Sequence, residues 1–152
     1  MANEDEGEAT SLVVRDLRVE EAWLDFNGHM NMAYYLVLFD RSIDRLIDAV
    51  GLSTAPDDRP TLFAAEADLR YLREVRADHV LSCETEVEGV EEKRLRTVQT
   101  LRHADGTVAA TCRNLHLHVR RDGPHPRVGP FEPATLERLR RLTGTNEGAP
   151  GG

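Results

Sequence analysis

The side chains most able to do chemistry lie close together in one short stretch, Trp23-Leu24-Asp25-Phe26-Asn27-Gly28-His29-Met30-Asn31. It holds a carboxylate, two carboxamides, a glycine and an imidazole, and it stands directly before a predicted helix. A helix N-terminus presents unpaired backbone N–H groups and a partial positive charge, which favour an anion or a developing oxyanion. Gly28 lets the backbone approach a ligand closely. Asp25 could act there as a general base or a nucleophile beside a polarised carbonyl.

The same residues also predict an ordinary turn. Asp-Phe-Asn-Gly suits a type I turn, with Asp at the first position and Gly at the fourth. Asn31 can be a helix cap, and His29 a satisfied polar residue near a buried segment. His29 and Asp25 could supply two metal ligands, but no third ligand follows at a recognisable spacing. The sequence therefore implies no metal or redox cofactor, and the residues alone leave catalysis and turn formation both open.

The element that follows the stretch is a helix predicted over residues 32–50, with Asn31 as its N-cap and Gly51 as its C-terminal stop. Its first two turns, residues 32–39, are apolar on every side, which indicates a buried helix. Its second half is amphipathic. A weaker helix is predicted at about 133–142.

Strands are predicted at 12–19, 63–71, 81–88, 93–103 and 107–120, and residues 61–123 hold no proline. In 63–71 the apolar parity runs from Phe63 to Tyr71, and Asp105-Gly106 predicts a hairpin turn. In 107–120 the parity switches, which predicts a bulge near Arg113 or Asn114. The expected fold class is α+β, an antiparallel sheet of about five strands wrapped around one long central helix.

Composition sets the broad class. The chain has 152 residues and a net charge of −8, with 40% hydrophobic and 30% charged residues. We expect one domain over 11–142, with disordered tails at 1–10 and 143–152. No basic cluster indicates nucleic-acid binding, and no apolar run approaches the roughly 18–20 residues of a membrane span. The N-terminus lacks the pattern of a secretory signal, and Cys83 and Cys112 form no CxxC pair, so a cytoplasmic protein is expected.

The segment WLDFNGHMNMAYYLVLFDRSID resembles the entry loop and central helix of the hot-dog-fold acyl-CoA thioesterases, the 4-hydroxybenzoyl-CoA thioesterase-like superfamily. The family pattern falls on Asp25, Gly28, Met30, Asn31 and Tyr35. A second similar stretch, LRYLREVRADHVLSCETEV, follows the helix, with an alanine where the family has a glycine before the aspartate. The resemblance covers about residues 12–130.

The resemblance implies a mechanism. Asp25 corresponds to the carboxylate that attacks the thioester carbonyl or activates a water, and N–H groups around Gly28 to Met30 would hold the oxyanion. Asn27 and His29 would position water or the thioester. Another branch of the superfamily uses a Glu within the helix, but here the first helical acid is Asp40. The expected substrate-binding residues are Met30, Asn31, Tyr34, Tyr35 and Arg73, the last because coenzyme A carries phosphates.

The motif DFNGHMN is most similar to the same loop in the betainyl-CoA thioesterases of carnitine catabolism. A quaternary ammonium group favours an aromatic cage, and the rings available near the loop and helix are Trp23, Phe26, Tyr34, Tyr35 and Tyr71. Coenzyme A or acyl carrier protein could carry the acyl group. The fold implies a homodimer or homotetramer, because an isolated sheet would leave an edge strand exposed.

Two other functions remain open. Hot-dog enoyl-CoA hydratases and dehydratases use a loop reading D-x-N-P-x-H, and this chain has a shorter version without the proline. The hydratase would add water without releasing thiol. Alternatively the protein would bind acyl-CoA without turnover. No helix-turn-helix region or basic arm suggests a DNA-binding sensor.

Overall fold

The computed structural model describes residues 11–143, which form five long strands, one two-residue strand and two α-helices. A single 3-10 turn, Glu21–Trp23, lies between the first strand and the long helix. The elements are β1 (Ser11–Arg18), α1 (Met32–Ala49), β2 (Thr61–Tyr71), β3 (Val80–Val90), β4 (Arg94–His103), β5 (Val108–Arg120), β6 (Arg127–Val128) and α2 (Pro133–Thr143). Both helices and the five long strands were predicted, within two residues at nearly every end. The predicted tails, apart from Thr143 in α2, lie outside the described residues.

The strands form one antiparallel sheet in the order β1-β3-β4-β5-β2, with β6 paired to β5. β3 shows the predicted alternation, since Leu81, Cys83, Thr85 and Val87 are buried. β1 and β2 are the outer strands, so β2 presents one unpaired edge. No helix among residues 11–143 is long and apolar enough to cross a membrane.

Helix α1 packs its buried side against the sheet. Its first half joins a cluster with Trp23, Met30 and Val75, and its second half joins a cluster with Phe131 and Leu139 beside α2. The prediction of burial on every side of the first two turns is wrong for the single chain. Met32 is 66% exposed and Leu36 is 43% exposed. These residues form an apolar strip that no described part of the chain covers.

Both predicted helix signals are confirmed. The Asn31 side-chain oxygen accepts a hydrogen bond from the Ala33 N–H at 2.9 Å, as an N-cap does. Gly51 follows the helix with φ of +86°, in the left-handed region that a glycine adopts without strain.

The predicted bulge near Arg113 or Asn114 is wrong. The β4–β5 register runs unbroken from Arg94 opposite Leu117 to Leu101 opposite Ala110. The apolar parity switches for another reason: the buried positions His116 and His118 are polar, while Leu115 and Leu117 on the other parity are only half-buried. The register instead shifts in β2 at residue 65, and in β5 at residue 109.

The core makes a direct prediction about stability. Leu101 is fully buried in β4, and Leu101→Ala should lower the free energy of unfolding by about 2–5 kcal/mol, because the lost contacts leave a cavity. Val128 in β6 is 50% exposed, and Val128→Ala should change stability by no more than about 0.5 kcal/mol. Urea unfolding at one protein concentration measures both. Equal losses in the two variants would contradict the described core.

Candidate active site

The loop before α1 is a tight hairpin. The Asp25 N–H donates to the His29 carbonyl at 2.8 Å, and the Gly28 N–H donates to the Asp25 carbonyl at 3.0 Å. Leu24 and Met30 pair across its base, and Gly28 has φ of +79°. The turn predicted from the sequence is therefore present, and it carries the residues predicted to be catalytic.

The Asp25 carboxylate holds this loop together through one of its oxygens. Oδ1 accepts from the Asn27 N–H at 2.8 Å and from the His29 N–H at 3.1 Å. Oδ2 accepts no hydrogen bond from any residue in 11–143. One carboxylate oxygen is thus fixed by the backbone, which orients the other for a ligand or a water.

The backbone N–H groups expected to hold an oxyanion are engaged elsewhere. The Gly28 and His29 N–H groups donate to Asp25, and the Met30 N–H donates to the Val75 carbonyl at 2.7 Å. These three N–H groups are therefore not free donors in this chain. The N–H of Met32, the first residue of α1, has no partner among the described residues. It is the donor that the helix N-terminus offers on this side of the loop.

The predicted substrate-binding residues separate into different environments. Met30 is a core residue with 4% of its surface exposed, and Asn31 is the cap of α1. Tyr35 is buried, and its hydroxyl donates to the Arg73 carbonyl at 3.3 Å. Burial, with the nearby Tyr71 next in size, raises the pKa of Tyr35. The Arg73 side chain is exposed and lines a separate cleft of about 630 Å³ with Glu74 and His103.

The aromatic side chains form two pairs and no single cage. Trp23 stacks on Tyr34 with ring centroids 5.4 Å apart, and Tyr35 meets Tyr71 edge to face at 4.9 Å. The Arg41 guanidinium lies over the Trp23 ring at 5.3 Å, so a cation of the chain itself occupies that ring. Phe26 is 96% exposed at the tip of the loop.

The sequence reasoning missed several polar neighbours of the site. His29 Nε2 lies 3.1 Å from a Glu74 carboxylate oxygen, which joins the loop to the segment before β3. A second group, Gln99, Asn114 and His116, lines a cavity of about 380 Å³ beside α1, together with Asp40. The parity switch in β5 was the sequence signal for the inward-facing polar residues. Within residues 11–143, no group of three or more His, Cys, Asp or Glu side chains is placed to hold a metal ion.

Comparison with known proteins gives consistent matches. The model of the thioesterase-like superfamily matches residues 19–139. Over 131 residues the chain is 33% identical to a betainyl-CoA thioesterase of Pseudomonas aeruginosa, covering 84% of this chain and 81% of that protein. It is 32% identical over 140 residues to an L-carnitine dehydrogenase/betainyl-CoA thioesterase of Agrobacterium fabrum, covering 90% of this chain but 28% of that longer protein.

The fold also matches a solved enzyme–ligand complex. The structure of a 4-hydroxybenzoyl CoA thioesterase mutant complexed with 4-hydroxybenzoyl CoA aligns with a TM-score of 0.75 at 15% identity. The alignment covers 86% of this chain and 99% of that one. The predicted hot-dog fold is confirmed.

The loop geometry predicts different effects for two substitutions of Asp25. Asp25→Asn keeps a side-chain oxygen that can accept from the Asn27 and His29 N–H groups, so the free energy of unfolding should stay near that of the wild type. Asp25→Ala removes the acceptor and should cost about 1 kcal/mol. Urea unfolding compares the two variants. An equal loss in both would show that the charge, and not the acceptor oxygen, holds the loop.

Proposed function

The chain belongs to the thioesterase-like superfamily and is an acyl-CoA thioester hydrolase, and we propose that it hydrolyses betainyl-CoA to betaine and coenzyme A through Asp25. The observation that carries the proposal is the Asp25 carboxylate, with one oxygen fixed by the loop and the other free, directly before the N-terminus of α1. The betainyl group is proposed from the names of the relatives and from the loop wording DFNGHMN.

The proposed reaction adds water to the thioester carbonyl. In the general-base route, the free Asp25 oxygen takes a proton from a water molecule while that water attacks the thioester carbonyl. In the nucleophilic route, the Asp25 carboxylate attacks the carbonyl itself, and water then hydrolyses the resulting mixed anhydride between Asp25 and the acyl group. Either route places negative charge on the carbonyl oxygen. The Met32 N–H, at the positive end of α1, is the donor we assign to that oxygen, in place of the engaged N–H groups at Gly28 to Met30. The thiolate of coenzyme A leaves and takes up a proton.

Other loop residues receive supporting roles. We assign His29 to positioning the water, because its pairing with Glu74 at 3.1 Å fixes the imidazole beside the loop. We assign the exposed Asn27 side chain to positioning the thioester. We assign Asn31 and Tyr34 to lining the substrate site at the start of α1. We propose that Arg73, on its exposed cleft, meets the phosphates of coenzyme A.

We propose a homo-oligomer built on the edge of β2, with a homodimer as its smallest form. This edge presents unpaired backbone groups, and Phe63 and Tyr71 on it are 46% and 45% exposed. The apolar strip of α1, formed by Met32 and Leu36, is a second exposed apolar surface. Natural proteins cover exposed, apolar edge strands, and a second copy of the chain would cover this one. The two free cysteines, both buried, agree with action in the reducing cytoplasm.

The first prediction of this function concerns Asp25→Asn. We expect loss of thioester hydrolysis by about 10²–10⁴-fold, because the amide can neither attack nor take a proton. Thiol release from betainyl, aromatic, short-chain and medium-chain acyl-CoA esters measures it. The thermal stability of the same variant is the control for folding.

Each other result has a distinct meaning. Thiol release that survives Asp25→Asn would remove Asp25 from the mechanism and leave the reaction class standing. If no ester releases thiol, the hydrolase assignment is wrong. Hydration of an enoyl-CoA would then identify a hydratase, and affinity without turnover would identify a binding protein.

The second prediction concerns assembly. Phe63→Lys places a charge on the exposed β2 edge, and we expect it to convert the oligomer to monomer in analytical ultracentrifugation, because burying an unpaired charge at an interface is costly. Val128→Lys, which changes a comparably exposed valine on β6, is the control and should leave the assembly unchanged. A monomeric wild type would contradict the proposed oligomer.

A further inference from the structure

A cavity of about 380 Å³ runs along α1 on the side that faces β2 and β5. Its lining begins at Ala33, two residues after the N-cap, and continues along the helix to Asp40 and Ile43. From β2 it takes only the small side chains Ala64 and Ala67. Residues three apart in a regular strand face opposite sides, but these two line the same cavity because the β2 register shifts between residues 64 and 66. The shift and the small side chains leave room beside the helix N-terminus.

The wall of the cavity opposite α1 is a chain of buried hydrogen bonds in which the donor and acceptor of the amide groups can be assigned. Gln99 Nε2 donates to the Phe39 carbonyl at 3.0 Å, which fixes the orientation of the Gln99 amide. Gln99 Oε1 therefore accepts from Asn114 Nδ2 at 3.0 Å. The same Asn114 amide donates to Thr97 Oγ1 at 3.1 Å, and Thr97 Oγ1 lies 3.0 Å from His116 Nε2.

His116 stands at the end of this chain. Thr97 Oγ1 accepts from the Asn114 amide, so its hydrogen can be donated to His116 Nε2, and a neutral imidazole that accepts it holds its own proton on Nδ1. Burial agrees with this, because it lowers the pKa of His116 to about 4. The wall of the cavity opposite α1 thus contributes polar groups and no positive charge at neutral pH.

Asp40 is the acidic residue of the lining, and its side chain is exposed there. This carboxylate makes no ion pair with any residue in 11–143. The other charged residue of the lining, Arg41, is turned to Glu20 at 3.6 Å and to the Trp23 ring. A smaller cavity of about 190 Å³ continues past Asp40 to Asp44. Burial and the carboxylates of Asp40 and Asp48 raise the pKa of Asp44, in keeping with a negative potential there.

We propose that this cavity receives the acyl group and that Asp40 is a specificity-determining residue, pairing with a permanent positive charge on that group. The proposal rests on the proposed function, and it names the residue that would make the enzyme prefer a cationic acyl group. The Trp23 ring is not free to supply that preference, because the Arg41 guanidinium already lies over it. A carboxylate with no ion pair among residues 11–143, on a cavity whose cationic lining residue is directed to Glu20 and Trp23, attracts a trimethylammonium group over a neutral group of the same shape.

The spacing along α1 suits this role. Asp40 lies eight residues after Met32, about 12 Å along the helix at 1.5 Å per residue. Helical side chains point back toward the N-terminus, which shortens the distance between the Asp40 carboxylate and the proposed oxyanion donor. An acyl group that extends along α1 from the Met32 N–H would therefore bring a positive charge beyond its thioester carbon toward Asp40.

The test compares matched esters. Betainyl-CoA and 3,3-dimethylbutyryl-CoA have the same shape and differ in charge, as do 4-(trimethylammonio)butyryl-CoA and 5,5-dimethylhexanoyl-CoA. For at least one pair, we expect Asp40→Asn to lower the ratio of kcat/KM for the charged ester to that for the neutral ester by at least about tenfold. The neutral esters should be hydrolysed about as well as by the wild type. Asp48→Asn, which removes an exposed carboxylate two turns away on α1, is the control and should leave both ratios unchanged.

The outcomes separate this inference from the proposed function. If the wild type hydrolyses the esters and Asp40→Asn changes neither ratio, the role of Asp40 is wrong and the hydrolase stands. An equal fall in Asp48→Asn would also overturn it, because net charge alone would explain the effect. If the wild type releases no thiol, the proposed function is wrong. Calorimetric binding of the same ester pairs to wild type and Asp40→Asn then decides the charge preference without turnover.

Discussion

The burial of α1 against the sheet is the constraint on which the site depends. The loop that leads into a buried helix needs hydrogen-bond partners for its own backbone N–H and carbonyl groups. Here Trp23 and Met30 enter the core, and the Met30 N–H donates to Val75 at 2.7 Å. These contacts fix both ends of the hairpin. Asp25 then closes the hairpin with one oxygen, so the geometry of the candidate catalytic group follows from the packing of the helix.

Local sequence patterns predicted the parts of the fold that depend on local chemistry. Asn31 caps the helix and Gly51 ends it, because cap and stop act through side-chain and backbone geometry within a few residues. The alternation in β3 was correct because its inward side chains are mostly apolar. β5 was misjudged because its inward positions carry His116 and His118, and hydrophobic periodicity cannot identify a buried face made of polar residues.

The sequence pointed to the candidate loop, and it did not show which groups of that loop are engaged in hydrogen bonds. The loop and its aspartate were recognisable, since their residue types and order are unusual. Which N–H groups remain free depends on partners far away in the sequence, such as Val75 for Met30. The same is true of His29, whose neighbour Glu74 lies beyond α1 and β2. Contacts of this kind are set by the tertiary fold, which no local spacing encodes.

The buried polar chain beside α1 bears on what the cavity is for. Gln99, Asn114, Thr97 and His116 occupy positions where apolar residues would pack without the need for matched donors and acceptors. A partly satisfied network would be less stable than an apolar core, and this one is satisfied up to the imidazole that lines the cavity. Its effect is a wall that is polar and neutral. Opposite such a wall, the Asp40 carboxylate has no ion pair with any residue in 11–143, and the proposed preference for a cationic group rests on this arrangement.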